Sequence, residues 1–118
     1  MKAILSVKGE TIGEALVLRV KSPQGCVLYT EEVELLAPQI REAIDRSSAS
    51  RVVIDLLEVR YMSSTAISLL ISLHKTLTKA LRQLRLCNLG PGIAEVLSVT
   101  QIDTILRISP DVSTALAD

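Results

Sequence analysis

An α/β fold, with helices packed against a mixed central β-sheet, is the architecture that this sequence predicts. Near the amino terminus apolar and polar residues alternate, residues 52–56 form a β-branched run without alternation, and helical apolar stripes separate the later strand-like segments. Strands and helices that alternate along a chain indicate parallel neighbours within one sheet. The predicted element order is β-β-(β)-α-β-α-β-α-β-α, in a single domain over residues 1–118.

The amino-terminal segments predict a β-hairpin and one further strand. Residues 3–8 and 14–21 alternate between apolar and polar side chains, and residues 9–13 between them supply a glycine-flanked turn. After a break at 22–25, the short apolar run 26–28 favours an edge strand.

A helical stripe follows Thr30, with apolar residues at steps of three and four: Val33, Leu36, Ala37, Ile40, Ala43 and Ile44. Thr30 is the predicted N-cap, since acidic Glu31 and Glu32 fall in the first turn. Pro38 lacks a backbone donor, so we expect either a kink or a helix that begins near Ala37.

The second half alternates more regularly. Residues 52–56 predict a strand that is buried on both faces, and a helix runs from the hydroxyl residues 63–65 to about residue 81. A strand at 84–88, a short helix after the Gly90-Pro91-Gly92 segment and a strand at 104–108 follow. Ser109 as N-cap and Pro110 as first residue then predict a terminal helix.

The amino-acid composition limits the classes of function that this chain can have. The chain is 48% hydrophobic yet has no Phe or Trp, so Leu, Ile, Val and Ala must form the core. Thirteen basic residues balance thirteen acidic ones, which argues against direct nucleic-acid binding and leaves a homo-oligomer open. Lys75, Lys79, Arg82 and Arg85 are the nearest approach to a basic cluster, and we interpret them as a solvated helix face.

No residue set predicts a metal, a cofactor or catalysis. Two distant cysteines, Cys26 and Cys87, and a single histidine, His74, fit no metal-ligand spacing. We interpret Cys87 as an inert core thiol, His74 as structural or partly exposed, and Glu58 as a loop residue that does not pair with Asp55.

Phosphate-binding and membrane signatures are missing as well. No phosphate-binding glycine loop occurs, and Gly90-Pro91-Gly92 is more simply a turn than an anion site. No apolar run is long enough for a signal peptide or a membrane span, so we expect a cytoplasmic protein with no membrane contact.

The segment with most chemical content is the helix start at Ser63, Ser64 and Thr65. Hydroxyl residues there can cap free backbone N–H groups, which contributes about 1 kcal/mol. They can also be phosphorylated, and the added charge suits the helix dipole while it disturbs a docked partner. From the residues alone we favour capping.

The run from Arg51 to Ile108, RVVIDLLEVRYMSSTAISLLISLHKTLTKALRQLRLCNLGPGIAEVLSVTQIDTILRI, resembles the STAS domain, the fold of bacterial anti-sigma factor antagonists and of sulphate-transporter tails. Members typically carry Asp-Ser-[Ser/Thr/Ala]-Gly at this helix start. By that resemblance Ser64 falls on the phosphorylated serine and Ser63 on the Asp, and Thr65 and Ala66 fall on the next two positions. Ser63 and Ala66 depart from the family pattern.

The resemblance implies a regulatory module without enzyme activity, which switches between partners under control of a serine kinase that is itself the anti-sigma factor, with a matching phosphatase. Ser64 would be the phosphorylation site, with Ser63 and Thr65 as alternatives. The surface for partner binding would comprise Tyr61, Met62, Ser63, Ser64, Thr65, Ile67 and Ser68. Two alternatives stay open: a STAS scaffold that is never phosphorylated, and a domain that binds an anion or nucleotide at residues 63–65.

Overall fold

The computed structural model describes residues 5–22 and 25–117 of the chain. The strands are β1 (Ser6–Ile12), β2 (Ala15–Lys21), β3 (Cys26–Leu28), β4 (Arg51–Asp55), β5 (Val59–Met62), β6 (Gln83–Cys87) and β7 (Arg107–Ser109). The helices are α1 (Thr30–Asp45), α2 (Ser64–Lys79), α3 (Pro91–Val99) and α4 (Val112–Ala117), with a 3₁₀ turn at Ile102–Thr104.

The five-stranded sheet has the order β1-β2-β4-β6-β7. Only the β1–β2 pair is antiparallel, because a tight hairpin joins these two strands, and the other neighbours are parallel. β3 and β5 form a separate two-stranded parallel sheet. The predicted mixed α/β fold is confirmed, whereas β5 was not predicted, since its four residues have no clear alternation that would signal a strand.

The hairpin turn is shorter than its sequence suggested. β1 continues through Ile12, which pairs with Ala15, so the turn is Gly13-Glu14 and the predicted turn at 9–13 is wrong. Gly13 adopts φ +60°, which glycine reaches without steric cost in a two-residue hairpin turn. Residues 3 and 4 of the predicted first strand, and 23 and 24 of the predicted break, lie outside the described residues.

α1 begins at Thr30, so the predicted alternative start near Ala37 is wrong. Its N-cap is Tyr29, not Thr30, and Glu32 Oε1 accepts the Tyr29 N–H at 2.9 Å. Pro38 lies inside the helix on its exposed side, where water can hydrogen-bond to the carbonyl group that lacks its usual donor.

The boundaries of the last two strands differ from the predicted ones by one to three residues. Asn88 adopts φ +57° and so ends β6, and the 3₁₀ turn delays β7 to Arg107. The predicted Ser109 cap is wrong because Ser109 pairs within β7. Asp111 Oδ1 instead accepts the Thr114 N–H at 2.7 Å at the start of α4.

Side chains on opposite faces of the central sheet enter two cores of unequal size. Leu18, Val52, Ile54 and Leu86 are buried in the large core that contains residues of α1, α2 and α3. The other face contributes a small cluster around α4: Val17, Val53, Cys87 and Ala115. The prediction that residues 52–56 form a strand buried on both faces is confirmed for 52–55, while Leu56 follows the strand as a buried residue.

Candidate functional site: two adjacent helix starts

The parallel β3–β5 pair places the starts of α1 and α2 side by side. Leu28 of β3 pairs with Met62 of β5, and a helix follows each strand within two residues. The Ser63 N–H donates to the Leu28 carbonyl at 2.8 Å, which extends the pairing up to the α2 start. Two parallel strands with equally short connections therefore bring two helix amino termini to one edge of the molecule.

A side-chain hydrogen bond joins the two helix starts. Thr30 Oγ1 and Thr65 Oγ1 lie 3.1 Å apart and share a hydrogen bond, with either atom as donor. The Thr65 hydroxyl is therefore engaged in holding α1 and α2 together.

The three hydroxyl residues of the α2 start have different surroundings. Ser63 occupies the N-cap position, and its carbonyl accepts the Ile67 N–H at 3.1 Å. Its side chain makes no capping hydrogen bond, and Ser63 Oγ is buried without a hydrogen-bond partner among the described residues. Ser64 is exposed, and its hydroxyl makes no hydrogen bond to another described residue. Of these three residues, Ser64 is thus the one whose hydroxyl is both accessible and uncommitted.

The remaining residues of the predicted partner surface divide into exposed and buried groups. Tyr61 is 42% exposed and Ser68 is also exposed. Met62 and Ile67 retain only 2% and 8% of their accessible surface and belong to the large core. Their packing supports the α2 start from beneath, and the side chains that face solvent are those of Tyr61, Ser64 and Ser68.

Sequence reasoning missed the contribution of the α1 start. Tyr29 precedes α1 just as Ser63 precedes α2, and it is 58% exposed. Gly92 of α3 approaches Tyr61, since a Cβ atom built on Gly92 would lie 3.9 Å from Tyr61 Cδ1. We call the exposed set Tyr29, Thr30, Tyr61, Ser64 and Ser68 the helix-start surface. The signal that could have revealed Tyr29 is the matching strand-then-helix order at 26–30 and 59–64.

The two helix starts differ in charge. The first turn of α1 contains Glu31 and Glu32, which offset the partial positive charge of that helix end. The first turn of α2 has no acidic residue. A negative group on Ser64 would therefore meet an uncompensated helix dipole.

Two carboxylates near the same edge are engaged in structural bonds. Asp55 Oδ1 accepts the Leu57 N–H at 3.0 Å and Asn88 Nδ2 at 2.9 Å. Glu58 accepts the Ser22 N–H at 2.9 Å and Lys21 Nζ at 3.0 Å, and these two bonds lower the pKa of Glu58. Asp55 and Glu58 thus serve different partners, so they do not form a pair suited to acid–base chemistry.

The other candidates have mainly structural surroundings. Burial raises the pKa of the Cys87 thiol to about 12 and that of Cys26 above its usual value, so neither forms a reactive thiolate readily. Arg82 follows α2, and Arg85 is a buried residue of β6, so the interpretation of both as a solvated helix face is wrong.

Two further site classes find no support in the described residues. Within 5–22 and 25–117, no group of three His, Cys, Asp or Glu side chains is placed to hold a metal ion. The described part of the chain also contains no helix that is long and apolar enough to cross a membrane.

Comparison with known families decides the identity of the fold. The STAS domain family matches residues 6–115. This chain belongs to the STAS family. The match covers both sheets and all of the α2 start, so the resemblance recognised in the sequence is confirmed.

Solved structures with the same fold superpose over nearly the whole chain. An anti-sigma-factor antagonist (STAS) domain protein from Planctomyces limnophilus is 27% identical with a TM-score of 0.79, covering 94% of this chain and 96% of its own. An anti-sigma factor antagonist from Mycobacterium paratuberculosis has 19% identity and a TM-score of 0.83, covering 97% and 92%. The Bacillus cell fate determinant SpoIIAA in its phosphorylated form has 17% identity and a TM-score of 0.63, covering 90% and 93%.

Proposed function

We propose that this STAS domain is an anti-sigma factor antagonist that docks its helix-start surface on an anti-sigma serine kinase and is released when that kinase phosphorylates Ser64. The observation that carries the proposal is the contrast among three neighbouring hydroxyls. Ser63 Oγ is buried, the Thr65 hydroxyl is bonded to Thr30, and Ser64 is exposed without a bonded partner. This contrast favours Ser64 over the two alternative acceptors.

The local electrostatics support a switch rather than unfolding of the helix. A phosphate adds a charge of about −1.5 to −2. At Ser64 it would lie at a helix amino terminus whose first turn has no acidic residue, so α2 itself would tolerate the charge. A docked partner would have to desolvate that charge, and binding would weaken for this reason. A serine phosphatase would then restore the binding form.

The known structures add support of a general kind. Several solved structures with this fold are anti-sigma factor antagonists, among them SpoIIAA in its unphosphorylated form, and SpoIIAA is also known in a phosphorylated form. In this chain Ser63 stands in place of the acidic residue that is typical of the family, and the acceptor hydroxyl of Ser64 is retained.

The test compares substitutions at two exposed serines of α2. We expect Ser64→Asp to weaken binding to the anti-sigma kinase of the same organism by about tenfold or more, measured by calorimetry. Ser68→Asp adds the same charge one helical turn further along the docking surface and should weaken binding less than Ser64→Asp does. The control is Ser98→Asp, at an exposed serine of α3 outside the helix-start surface, which should bind as wild type does. Equal affinity of wild type and Ser64→Asp would contradict the switch.

A second measurement assigns the acceptor. Incubation with the kinase and ATP, followed by phosphopeptide mapping, should give one phosphate on wild type, Ser63→Ala and Thr65→Val, and none on Ser64→Ala. Phosphate on Ser63 or Thr65 in the wild-type protein would move the site. If protein recovered from growing and stressed cells never carries phosphate at 63–65, the domain is a constitutive scaffold instead.

A further inference from the structure

The strand β1 (Ser6–Ile12) forms a long and regular edge of the five-stranded sheet. It lies at one end of the strand order and pairs with β2 at each of its 7 residues in an unbroken register. The strand at the opposite edge, β7, has only 3 residues. Proteins usually shorten, bulge or cover an edge strand, because its free N–H and C=O groups can pair with another chain. An edge as long as β1 is therefore a candidate surface for strand pairing.

The hairpin geometry decides which backbone groups of β1 point outward. Ile12 and Ala15 flank the two-residue turn, so they form a hydrogen-bonded pair, and such pairs recur at every second residue of the strand. The even-numbered residues of β1 therefore bond to β2. The N–H and C=O groups of Val7, Gly9 and Thr11 point away from β2, toward the open side of the sheet.

The helix α1 covers one of these outward groups. The Val7 N–H donates to Gln39 Oε1 at 3.2 Å, which agrees with its outward direction. Gln39 Nε2 donates to the Leu35 carbonyl at 3.1 Å, so the Gln39 side chain is held against the edge at this point. Gly9 and Thr11 are exposed, and no hydrogen bond from another described element covers their outward groups. The edge is thus open from Gly9 onward.

Lys8 and Glu10 flank Gly9 on one face of β1 and carry opposite charges. Glu10 Oε2 lies 2.8 Å from Arg19 Nη1, and the Glu10 side chain is still 57% exposed. Lys8 is exposed, lies directly opposite Arg19 in the β1–β2 register, and forms no ion pair within the described part of the chain. Like charges that are directly opposite destabilise a strand pair. An acidic group on the outer side of Lys8 would offset this repulsion.

We propose that β1 pairs with β1 of a second copy of this chain, antiparallel and centred on Gly9, so that the two five-stranded sheets become continuous. Around this centre Lys8 lies opposite Glu10 of the partner subunit, and the two-fold symmetry forms the same charge pair a second time. The Gly9 N–H donates to the carbonyl of Gly9 of the partner subunit. The Thr11 N–H donates to the carbonyl of Val7 of the partner subunit, while the Val7 N–H stays bonded to Gln39.

The charges select this register over the two nearest alternatives. Opposite residues of an antiparallel pair must share a face of the sheet, so the centre of a symmetric pair can lie on Lys8, Gly9 or Glu10. A pair centred on Lys8 would oppose two lysines, and a pair centred on Glu10 would oppose two glutamates, which is destabilising in both cases. The centre at Gly9 places opposite charges together. The net charge of zero adds no overall repulsion between two copies.

The proposed interface does not include any residue of the helix-start surface. It is therefore independent of the phosphorylation proposed for Ser64, and a dimer would present two helix-start surfaces. Failure of either proposal leaves the other standing, because dimerisation is measured on the chain alone and kinase binding requires a partner.

Sedimentation velocity of the full chain tests the association. A single strand edge makes a small interface, so we expect a monomer–dimer equilibrium with a dissociation constant of about 10–100 µM. Amide hydrogen exchange tests the surface. At about ten times the dissociation constant, exchange at Gly9 and Thr11 should be about fivefold slower than in dilute protein, because about a fifth of the chains remain monomeric. A chain that stays monomeric up to about 1 mM, or a dimer in which these two amides are not slowed, overturns the proposal.

Charge-reversal variants test the register. Lys8→Glu opposes glutamates across the proposed pair, and Glu10→Lys opposes lysines, so each variant alone should dimerise at least about tenfold more weakly than wild type. An equimolar mixture of the two variants restores opposite charges at both positions. The mixture should therefore form a heterodimer with about the affinity of the wild-type dimer.

The control for net charge is Lys75→Glu, at an exposed lysine of α2. It changes the charge of the chain as much as Lys8→Glu does and should dimerise as wild type does. If the mixture of the two β1 variants stays monomeric, Lys8 does not face Glu10 of the partner subunit and the proposal is overturned. The same conclusion follows if Lys75→Glu weakens the dimer as much as Lys8→Glu.

Discussion

The sheet face that packs against α1, α2 and α3 is almost entirely apolar, whereas the opposite face combines a small apolar cluster with a row of charged residues. Successive side chains of one strand point to opposite faces of the sheet. On β4, Val52 and Ile54 therefore enter the large core, and Val53 joins the small cluster at α4. On the α4 face Arg19 lies 2.8 Å from Glu10 and 3.5 Å from Asp55. The comparison indicates that one face provides most of the stability and the other fixes loops and the carboxyl-terminal helix.

We expect the largest loss of stability from a substitution in the large core. Leu36→Ala should lower the free energy of unfolding by about 3–5 kcal/mol, because the side chain is fully buried and its removal leaves a cavity. The adjacent exposed Leu35 offers a control, and Leu35→Ala should cost less than about 0.5 kcal/mol. Urea unfolding followed by circular dichroism measures both. Similar losses for the two variants would mean that the face on which α1 packs has been assigned wrongly.

Val52 and Val53 give a matched test of the two faces, since they are neighbours on β4 and both fully buried. Each substitution by alanine removes the same two methyl groups. We expect Val52→Ala to cost about 2–3 kcal/mol and Val53→Ala about 1.5 kcal/mol, because the thin layer under α4 can relax more easily around a cavity. Equal losses, measured in the same unfolding experiment, would show that the α4 face is packed as firmly as the other.

We expect smaller losses of stability from substitutions in the charged row, which is formed by Glu10, Arg19 and Asp55. Asp55→Asn keeps an oxygen that can accept from the Leu57 N–H but removes the charge that faces Arg19, so we expect a loss of about 1–2 kcal/mol. Glu10→Gln removes the exposed partner of the same arginine and should change stability by less than about 0.5 kcal/mol. If Glu10→Gln lowers the free energy of unfolding as much as Asp55→Asn does, then burial does not make the Arg19–Asp55 ion pair stronger than the exposed Arg19–Glu10 pair.

The lowered pKa of Glu58 leads us to expect that the stability of the protein depends on pH. Its pKa is lowered in the folded protein by the Ser22 N–H and then by Lys21, so its contribution is present above the pKa of the unfolded chain and is lost as pH falls through the folded value. Between about pH 5 and pH 3 wild type should therefore lose more stability than Glu58→Gln. Glu34→Gln, at an exposed glutamate without a bonded partner among the described residues, should follow wild type. Parallel acid curves for wild type and Glu58→Gln would contradict this assignment.

Much of the fold could be predicted because its patterns are local. The β-branched run without alternation at 52–56 and the helical stripe after Ser64 each identify an element from its own residues, and both elements are present. β5 was missed because four residues with two exposed members have no clear period, and only pairing with β3 makes them a strand. Pro38 did not delay the start of α1 to Ala37: the helix begins at Thr30, and the proline lies on its solvent side.

The candidate site was predicted in part. Ser64 was singled out through its position at a helix start and through the resemblance to the family. The chemistry of the residues alone could not separate it from Ser63 and Thr65, since all three carry hydroxyls at the same helix end, and only the resemblance placed Ser64 first. Their difference depends on contacts with β3 and α1, which lie more than thirty residues away along the chain.

By itself the sequence determined the class of fold, because this follows from periodicity and residue type, and its resemblance to known domains indicated the family and the segment that contains the candidate site. The tertiary structure alone decided which hydroxyl is accessible, which of the predicted surface residues are buried, and that Tyr29 lies beside the α2 start. The physical reason is that exposure and hydrogen-bond partners depend on what packs against a residue. At this site those neighbours come from the distant β3–α1 segment.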